Sequence, residues 1–503
     1  MKEKMEQLKA KLREAKDLSS VLSILSWDQS TYMPSGGANA RGRQMAILTQ
    51  LSQEKFTDPE IGRLLDDLAA YGESLPYDSD DAAMLRAARR EYEREMKVPP
   101  AFSAELAEHQ AVSYQVWAES RPNNDWNRVK PYLEKTLEYS RRLANYFPGY
   151  EHIADPLINY ADYGMKAADI RKIFGDLRTG LTPIIKSISA QRQVDDSCLK
   201  QNYDIKSQLQ FSEEIARVFG YDFQRGRLDL THHPFETTFS IGDVRITTRV
   251  KENDLGECMF SVFHESGHAM YEQGCNPEYE ATVLQGGVSS GVHESQSRTW
   301  ENIVGRSRAF WEWCYPRLQQ VFPGQLGKTS LEVFYQAINK VQPSLIRTDA
   351  DEVTYNLHPM IRFELELALL EGSLQIKDLP EEWNKRYAEY LGVTPPDYAS
   401  GVMQDVHWFA GVIGGSFQGY TLGNILSAMF YEQALTAHPQ IPDEIRQGQF
   451  DTLHSWLKAN IYQFRSKYTA SELIHRLTGG QLDVKPLLNY IKTKYGEIYH
   501  LPE

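Results

Sequence analysis

The sequence predicts a mainly α-helical fold with a small sheet, and two observations carry this prediction. Stretches rich in good helix formers recur along the 503 residues, whereas only one region alternates apolar and polar residues as a strand does. Hydrophobic residues make up 41% and charged residues 24%, which is typical of a globular protein. Because no internal repeat or long linker divides the chain, we expect a single domain over 1–503, built as one body or as two lobes.

Apolar spacing and helix-stop residues predict the helices in chain order. An N-terminal amphipathic helix follows from the helical spacing of Met5, Leu8 and Leu12. Residues 81–96 are rich in Ala, Leu, Arg and Glu, and two prolines at 99–100 stop that helix. Similar helical stretches are predicted at 127–147, 167–190, 361–376, 421–437 and 470–495.

A small antiparallel sheet is predicted around Gly242. Residues 243–250 alternate apolar and polar side chains, which is typical of a half-buried strand. Residues 237–241 come directly before it and are expected to pair with it across the glycine. The polar segment 251–256 then predicts a turn, and a new helix is expected to begin near Cys258.

Charge and cysteine content exclude several partners and favour a compartment. The 54 Lys and Arg against 68 Asp and Glu give a net charge of −14, which argues against a general nucleic-acid binder and an anionic membrane surface. The sequence contains no run of 18 apolar residues and no apolar N-terminal signal segment. Its four cysteines form no C-x-x-C pair, so we expect a reducing, cytoplasmic location.

The segment 264–268 reads H-E-x-x-H, which predicts a metal site on a helix. Residues four apart lie on one helix face, so His264 and His268 can reach one ion. Glu265 can then act as the base toward the water on that ion. The alternative is a pair of helical histidines packed in a core. Gly267 is costly inside a helix, which indicates that another backbone or the substrate comes close.

A third ligand is predicted at Glu294, 26 residues after His268. Zinc hydrolases of the His₂Glu class take a glutamate from a second helix, and a glycine-containing loop at 286–291 precedes this one. The alternative is that Glu294 is one solvated acid among 68.

Six short blocks in order resemble the M32 metallocarboxypeptidases, the thermostable carboxypeptidase family first described from Thermus. Tryptophan, aspartate and glutamine at 27–29, followed by Met33-Pro34, resemble an N-terminal feature of the same family. The blocks are H-P-F at 233–235, D-x-R-x-T at 243–247, H-E-x-x-H at 264–268, H-E-S-Q at 293–296, I-R-x-x-A-D at 346–351 and G-x-x-Q-D-x-H-W at 401–408.

The resemblance implies an almost entirely α-helical body with a small sheet, similar to thimet-type oligopeptidases, and a deep active-site groove with the metal at its floor. It implies a metal-dependent carboxypeptidase of broad specificity that removes amino acids one at a time from the C-terminus of peptides. Zn²⁺ is the expected ion, one per chain, with Co²⁺ as a substitute. A homodimer is expected on the same ground.

The resemblance also suggests residues for the reaction. His407 and Tyr420 are expected to donate to the oxyanion, and the glycine-rich loop before Tyr420 is expected to move on binding. Arg347 is the first choice for binding the substrate's terminal carboxylate, because a guanidinium binds a carboxylate in a fork. Arg245 is the second choice and can instead close the groove. Each arginine can alternatively serve structure alone, paired with a neighbouring aspartate.

Three further residues are predicted to support the site. His233 can line the substrate site or fix a turn before Pro234. Asp351 and Asp405 are predicted to orient metal ligands. Some His₂Glu hydrolases carry an aspartate four residues after the third ligand, but this chain has Arg298 there.

Two other functions remain open at this point. An endo-acting oligopeptidase would share the metal and Glu265, and differ only in ignoring the free terminal carboxylate. A helical interaction protein with a structural metal site is the third hypothesis. It is disfavoured because structural zinc sites favour four protein ligands, often cysteine, and need no general base.

Overall fold

The computed structural model describes residues 1–501 and is dominated by helices. The first 97 residues fold into four helices: α1 (Lys2–Thr31), α2 (Ala38–Phe56), α3 (Pro59–Ser74) and α4 (Asp80–Lys97). Helices α1, α3 and α4 bury their apolar faces in a second hydrophobic cluster, which also contains Ile241, Cys275, Tyr279 and Leu284. The predicted N-terminal apolar positions Met5, Leu8 and Leu12 are all buried there, as their spacing requires.

A larger hydrophobic core joins the remaining helices. Its first part contains α5 (Pro100–Ser120), α6 (Trp126–Asn145), α7 (Asp155–Ala161), α8 (Ala167–Ser189) and α9 (Ile205–Phe219). Its central pair is α10 (Leu255–Gln273) and α11 (Ser290–Arg298), and a π-helical turn, Thr299–Val304, continues α11.

The C-terminal part completes this core with eleven further helices in the described residues. They are α12 (Arg308–Val321), α13 (Pro323–Leu326), α14 (Leu331–Ile338), α15 (Leu357–Glu371), α16 (Leu379–Leu391), α17 (His407–Ala410), α18 (Gln418–Ala437), α19 (Ile441–Arg446), α20 (Asp451–Leu457), α21 (Ala470–Thr478) and α22 (Lys485–Tyr499).

The sheet has three strands, β1 (Leu228–Leu230), β2 (Glu236–Ser240) and β3 (Asp243–Thr248), with β3 in the middle. The predicted antiparallel pair is confirmed, with Thr238 opposite Val244 and an irregularity next to the turn. The sequence prediction missed β1, which pairs with β3 in parallel, so the sheet is mixed. Three residues carry too little alternation to be recognised as a strand.

One stretch predicted as a single helix is interrupted in the structure. Residues 470–495 form two helices, because Gly479 ends α21 in the left-handed conformation (φ +68°). A glycine adopts that conformation without steric cost and commonly ends a helix. The other predicted helices agree with α4, α6, α8, α15 and α18 to within a few residues at each end.

Across residues 1–501, no helix combines the length and apolar composition that crossing a bilayer requires. The four cysteines are buried and none forms a disulfide.

Gly267 is the point of closest approach between α10 and α11. A Cβ atom there would lie 2.5 Å from the carbonyl oxygen of Gln296 and 2.6 Å from the Cα of Ser297. Both atoms belong to the backbone of α11, so they cannot swing aside as a side chain does. The sequence predicted that another backbone or the substrate comes close to Gly267, and the structure shows that the backbone of α11 does.

We expect Gly267→Ala to lower the free energy of unfolding by about 1–3 kcal/mol, because α11 must shift to admit the methyl group. Urea unfolding measures this. The matched control is Gly175→Ala, inside α8, where a Cβ meets nothing within 4 Å. That variant should gain about 0.5–1 kcal/mol from helix propensity. Equal effects of the two substitutions would contradict the close contact.

Candidate metal centre and active site

Helices α10 and α11 bring the three predicted metal ligands together. The Oε2 atom of Glu294 lies 3.7 Å from Nε2 of His264 and 3.4 Å from Nε2 of His268. One ligand atom from each residue lies within 4.8 Å of the others. Gly423 on α18 leaves the space for the glutamate, since a Cβ there would lie 2.4 Å from Cγ of Glu294.

The donor set fits a divalent metal ion. Two donors on a tetrahedral ion with bonds of about 2.0–2.1 Å lie about 3.3 Å apart, close to the separations seen here. The Nδ1 atoms of His264 and His268 both have other hydrogen-bond partners, so each ring points its Nε2 atom toward Glu294. Two imidazoles and one carboxylate leave a fourth position for water or substrate, as catalytic zinc sites do.

The carboxylate that supports His264 is Glu301, in the π-helical turn after α11. Nδ1–H of His264 donates to Oε2 of Glu301 at 2.8 Å. The wide turn is visible in the hydrogen bond from the amide of Gly305 to the carbonyl of Trp300, five residues earlier. The sequence did not single out Glu301, because its position depends on this unusual turn.

Arg298 occupies the position where some His₂Glu hydrolases carry an aspartate, and it binds both Glu294 and Glu301. Its Nε donates to Glu294 at 2.7 Å and its Nη1 to Glu301 at 3.2 Å. Burial would raise the pKa of Glu301, but Arg298 and the hydrogen bond from His264 outweigh it and lower the pKa to about 2. The pKa of Glu294 is likewise held far below its usual range, chiefly by Arg298 against the effect of burial.

His268 is supported by a second histidine instead of a carboxylate. Its Nδ1 lies 2.6 Å from Nδ1 of His293, and Nε2 of His293 lies 2.9 Å from Oε1 of Glu272. Because Nε2 of His268 faces the metal position, its Nδ1–H donates to His293, which in turn donates to Glu272. The buried Arg465 fixes that carboxylate at 2.6 Å and also donates to the carbonyl of Gln285.

The predicted supports Asp351 and Asp405 have other partners, so that prediction is wrong. Asp351 accepts from the amides of Gln342, Val353 and Thr354 and caps the turn that leads into α15. Asp405 binds two arginines.

Glu265 is buried on α10 between the two histidines in sequence. Burial raises its pKa to about 7, His264 opposes this, and the charges of Glu294 and Glu301 add to it. A carboxylate with that pKa exchanges protons near neutral pH, as a general base requires.

His407 and Tyr420 meet as a pair, with Nε2 of His407 3.0 Å from the tyrosine oxygen. Burial lowers the pKa of His407 to about 4 and raises that of Tyr420 to about 12, so both side chains are neutral at pH 7. The loop before Tyr420 is tightly packed. A Cβ at Gly415 would lie 2.3 Å from the carbonyl oxygen of Leu157, so this glycine allows the loop to pack directly on the backbone of α7.

Arg347 lies beside this pair in a buried cluster with excess positive charge. Its guanidinium binds Asp405 at 2.9 and 3.0 Å and lies over the ring of Tyr420, 4.8 Å from the ring centre. Arg362 binds the same aspartate, so two cations share one anion. The exposed side chain of His233 lies near Arg347. Desolvation lowers the pKa of His233, and the charge of Arg347 lowers it further.

Arg245 is held apart from this cluster by structural contacts. It makes two hydrogen bonds to Asp243, at 2.8 and 2.7 Å. Its guanidinium also stacks on Trp27 of α1 and Phe239 of β2, 4.4 and 4.9 Å from the ring centres. These contacts join the sheet to the N-terminal helices.

A cavity of about 560 Å³ opens next to the metal position. His268, Glu294 and Tyr420 line one end of it, and Arg90 and Arg94 of α4 line it as well. This volume lies within the range of small-ligand sites, and its walls come from both the N-terminal helices and the main body.

The sequence could have indicated only some of the residues that it missed. His293 stands in the H-E-S-Q block and Arg298 was noted as a departure. Glu272 and Arg465 carry no local signal, because they meet only when segments 193 residues apart fold together.

Comparison with known proteins identifies relatives along nearly the whole chain. The family model described as Carboxypeptidase Taq (M32) metallopeptidase matches residues 7–495. The chain is 41% identical over 499 residues to thermostable carboxypeptidase 1 of Thermus thermophilus, covering 97% of both proteins. It is 34% identical to carboxypeptidase 1 of Bacillus subtilis, again over 97% of both. The crystal structure of an M32 carboxypeptidase from Deinococcus radiodurans superposes with a TM-score of 0.96 at 45% identity, covering 99% of this chain and 100% of that one.

We expect Glu301→Gln to weaken metal binding about 10- to 100-fold, because His264 loses a charged acceptor that fixes its ring. Competition with a chelator of known affinity measures this. Glu332→Gln, which removes an exposed carboxylate paired with Arg308, is the matched control and should leave metal affinity unchanged. Equal affinities of all three proteins would contradict the supporting role of Glu301.

We expect Arg465→Met to lower the free energy of unfolding by about 3–5 kcal/mol, because it leaves Glu272 buried without its cation. The double variant Glu272→Gln/Arg465→Met should recover part of that loss, since no buried charge then remains unpaired. Urea unfolding of both variants tests this, and a double variant less stable than Arg465→Met would contradict it.

Proposed function

The chain belongs to the Carboxypeptidase Taq (M32) metallopeptidase family and is a metal-dependent carboxypeptidase, and we propose which of its residues perform the reaction. The observation that carries the proposal is the side-by-side arrangement of two sites. Tyr420 lines the same cavity as His268 and Glu294 of the candidate metal cluster, and its ring also contacts the guanidinium of Arg347. The curated relatives named above are carboxypeptidases, which favours this activity over an endo-acting oligopeptidase.

We propose Zn²⁺ as the ion, one per chain, with Co²⁺ as a functional substitute. His264, His268 and Glu294 would hold it, because two imidazoles and one carboxylate are the donor set of catalytic zinc. When bound, the ion supplies Lewis acidity toward water and toward the scissile carbonyl.

Glu265 would accept the proton from the attacking water and pass it to the leaving amine. Its place on α10, next to one ligand and one turn from the other, supports this role. Burial of the carboxylate also raises its pKa, which strengthens it as a proton acceptor.

Tyr420 and His407 would stabilise the oxyanion that forms on the scissile carbonyl. Both are neutral at pH 7, and Tyr420 lines the cavity that His268 and Glu294 also line. A preorganised donor at that position lowers the barrier without having to reorient during the reaction.

Arg347 would bind the terminal carboxylate of the substrate, with His233 at the rim of the same site. The extra positive charge that Arg347 and Arg362 share around Asp405 supports this assignment, because a substrate carboxylate would balance it. For Arg245, its contacts with Asp243 and Trp27 support a role in closing the end of the groove.

We also propose the partners, the oligomeric state and the compartment of the protein. We propose peptides as the only class of partner besides a second copy of the chain, in a homodimer, which the family resemblance supports. The net charge of −14 supports the exclusion of nucleic acid and anionic membranes. Four free, buried cysteines support a reducing, cytoplasmic location, and a single domain over 1–503 is proposed.

The zinc-loaded protein should shorten peptides from the C-terminus one residue at a time, and amidated copies of the same peptides should stay intact. Mass spectrometry of a mixed peptide set reads this directly. Internal cuts that ignore amidation would overturn the exopeptidase assignment.

Glu265→Gln should lower kcat by about 10²- to 10⁴-fold with unchanged metal content, because only the proton acceptor is lost.

Arg347→Met should lower kcat/KM on free C-termini by about 100-fold or more, because the bidentate carboxylate contact is lost. Arg362 still pairs with Asp405 in this variant, so the fold should be retained. Steady-state release of the C-terminal amino acid measures the change. Arg308→Met, at an exposed ion pair with Glu332, is the control. Equal kcat/KM values in the two variants would remove Arg347 from the site.

A further inference from the structure

The cavity beside the metal position is lined by residues other than those of the proposed terminal-carboxylate site. Its walls include His268, Glu294 and Tyr420, whereas among the residues that the structure describes Arg347 and His233 do not line it. A peptide whose C-terminus lies at Arg347 and whose last peptide bond lies at the metal can therefore place its upstream residues in this cavity.

Two arginines on one face of α4 line this cavity without a strong acidic partner. Arg90 and Arg94 are four residues apart, so their side chains lie one turn apart on the same face. Within residues 1–501, the guanidinium of Arg90 makes no hydrogen bond or ion pair. The Nε atom of Arg94 is buried without a hydrogen bond, and Glu95 is 3.5 Å from it.

Tyrosines at the end of α7 hold both guanidinium groups in place. Arg90 stacks on Tyr163 and Arg94 on Tyr160, at 4.3 and 4.9 Å from the ring centres. Stacking covers a face of the planar group and leaves the N–H donors at its edge free. The pair is thus oriented in advance for a planar anion, which lowers the entropic cost of binding one.

The charge around the pair remains positive after its neighbours are included. Glu91 of α4 also lines the cavity, between the two arginines in sequence. Burial raises the pKa of Glu91, against the effect of Arg94 and Arg90, which favours its neutral form. With Glu91 neutral, the ionised carboxylate beside the two cations is that of Glu95, so an anion that enters the cavity is attracted.

We propose that Arg90 and Arg94 form a subsite for the carboxylate of an aspartate or glutamate upstream of the scissile bond. This rests on the proposed carboxypeptidase function and adds the substrate class, peptides with an acidic residue near the C-terminus. The subsite binds but does not react, so it sets specificity through kcat/KM.

Matched peptides test the subsite in the zinc-loaded protein. Each peptide carries Glu, Gln or Lys at one position, two to five residues from a constant C-terminal residue. At one position, the Glu peptide should exceed the Gln peptide in kcat/KM by about 10- to 100-fold, and the Lys peptide should be the poorest. The preference should shrink as salt rises, because it is electrostatic.

The variant Arg90→Gln/Arg94→Gln should bring the Glu to Gln ratio near one, chiefly by lowering kcat/KM for the Glu peptide. Arg90→Glu/Arg94→Glu should reverse the preference toward Lys. Arg86→Gln is the matched control, because Arg86 lies one turn earlier on α4 and stacks on Tyr77, 3.7 Å from the ring centre. It should keep the wild-type ratio.

A wild-type ratio near one at every position, or a ratio that survives in Arg90→Gln/Arg94→Gln, would overturn the subsite. Failure of the proposed function would look different, since the Gln peptide too would keep its C-terminal residue. Peptide Kd values measured with the Glu265→Gln variant decide the subsite without any turnover. The Glu peptide should again bind about 10- to 100-fold more tightly than the Gln peptide, and equal Kd values would refute it.

Discussion

The close contact between α10 and α11 at Gly267 is the constraint on which the site depends. Both imidazoles project from one of these helices and the carboxylate from the other, so the gap between the helix axes sets the separation of the donor atoms. Backbone packed on backbone fixes that gap more firmly than side chains do, because no rotamer change relieves it. Gly423 on α18 constrains the site in a similar way, because a Cβ there would clash with the side chain of Glu294.

Electrostatic balance around the metal ligands is achieved in two different ways. On the side of His264, two carboxylates share Arg298, so the ring donates to an acceptor that stays ionised. On the side of His268, His293 lies between the ligand and the ion pair of Glu272 and Arg465. His264 is therefore hydrogen-bonded directly to a carboxylate, whereas His268 is connected to one through the ring of His293. The two imidazoles consequently differ in how strongly they donate electrons to a metal ion.

Local patterns in the sequence predicted the helices and the strand pair, because amphipathic spacing and turn glycines act within a few residues. They also predicted that His264, His268 and Glu294 come together, because the two histidines lie one helical turn apart and a second helix was expected to supply the glutamate. What they missed depends on distant segments or unusual backbone. Asp405 meets Arg347 across 58 residues, and nothing near either indicates the pairing. The break at Gly479 was missed because the flanking sequences are both good helices, and the parallel strand β1 because it is only three residues long.

The π-helical turn after α11 has a consequence for how such a site changes in evolution. A turn closed by hydrogen bonds five residues apart contains one residue more than an α-helical turn, so it corresponds to a single inserted codon. Loss of that residue would restore a regular helix and rotate every later side chain of the segment by about 100°. Glu301 would then move away from His264, although no residue had been substituted. Homologous chains can therefore gain or lose the hydrogen bond between His264 and this glutamate through a one-residue gap. An alignment that compares residue identities alone would show only an acidic residue at a different position.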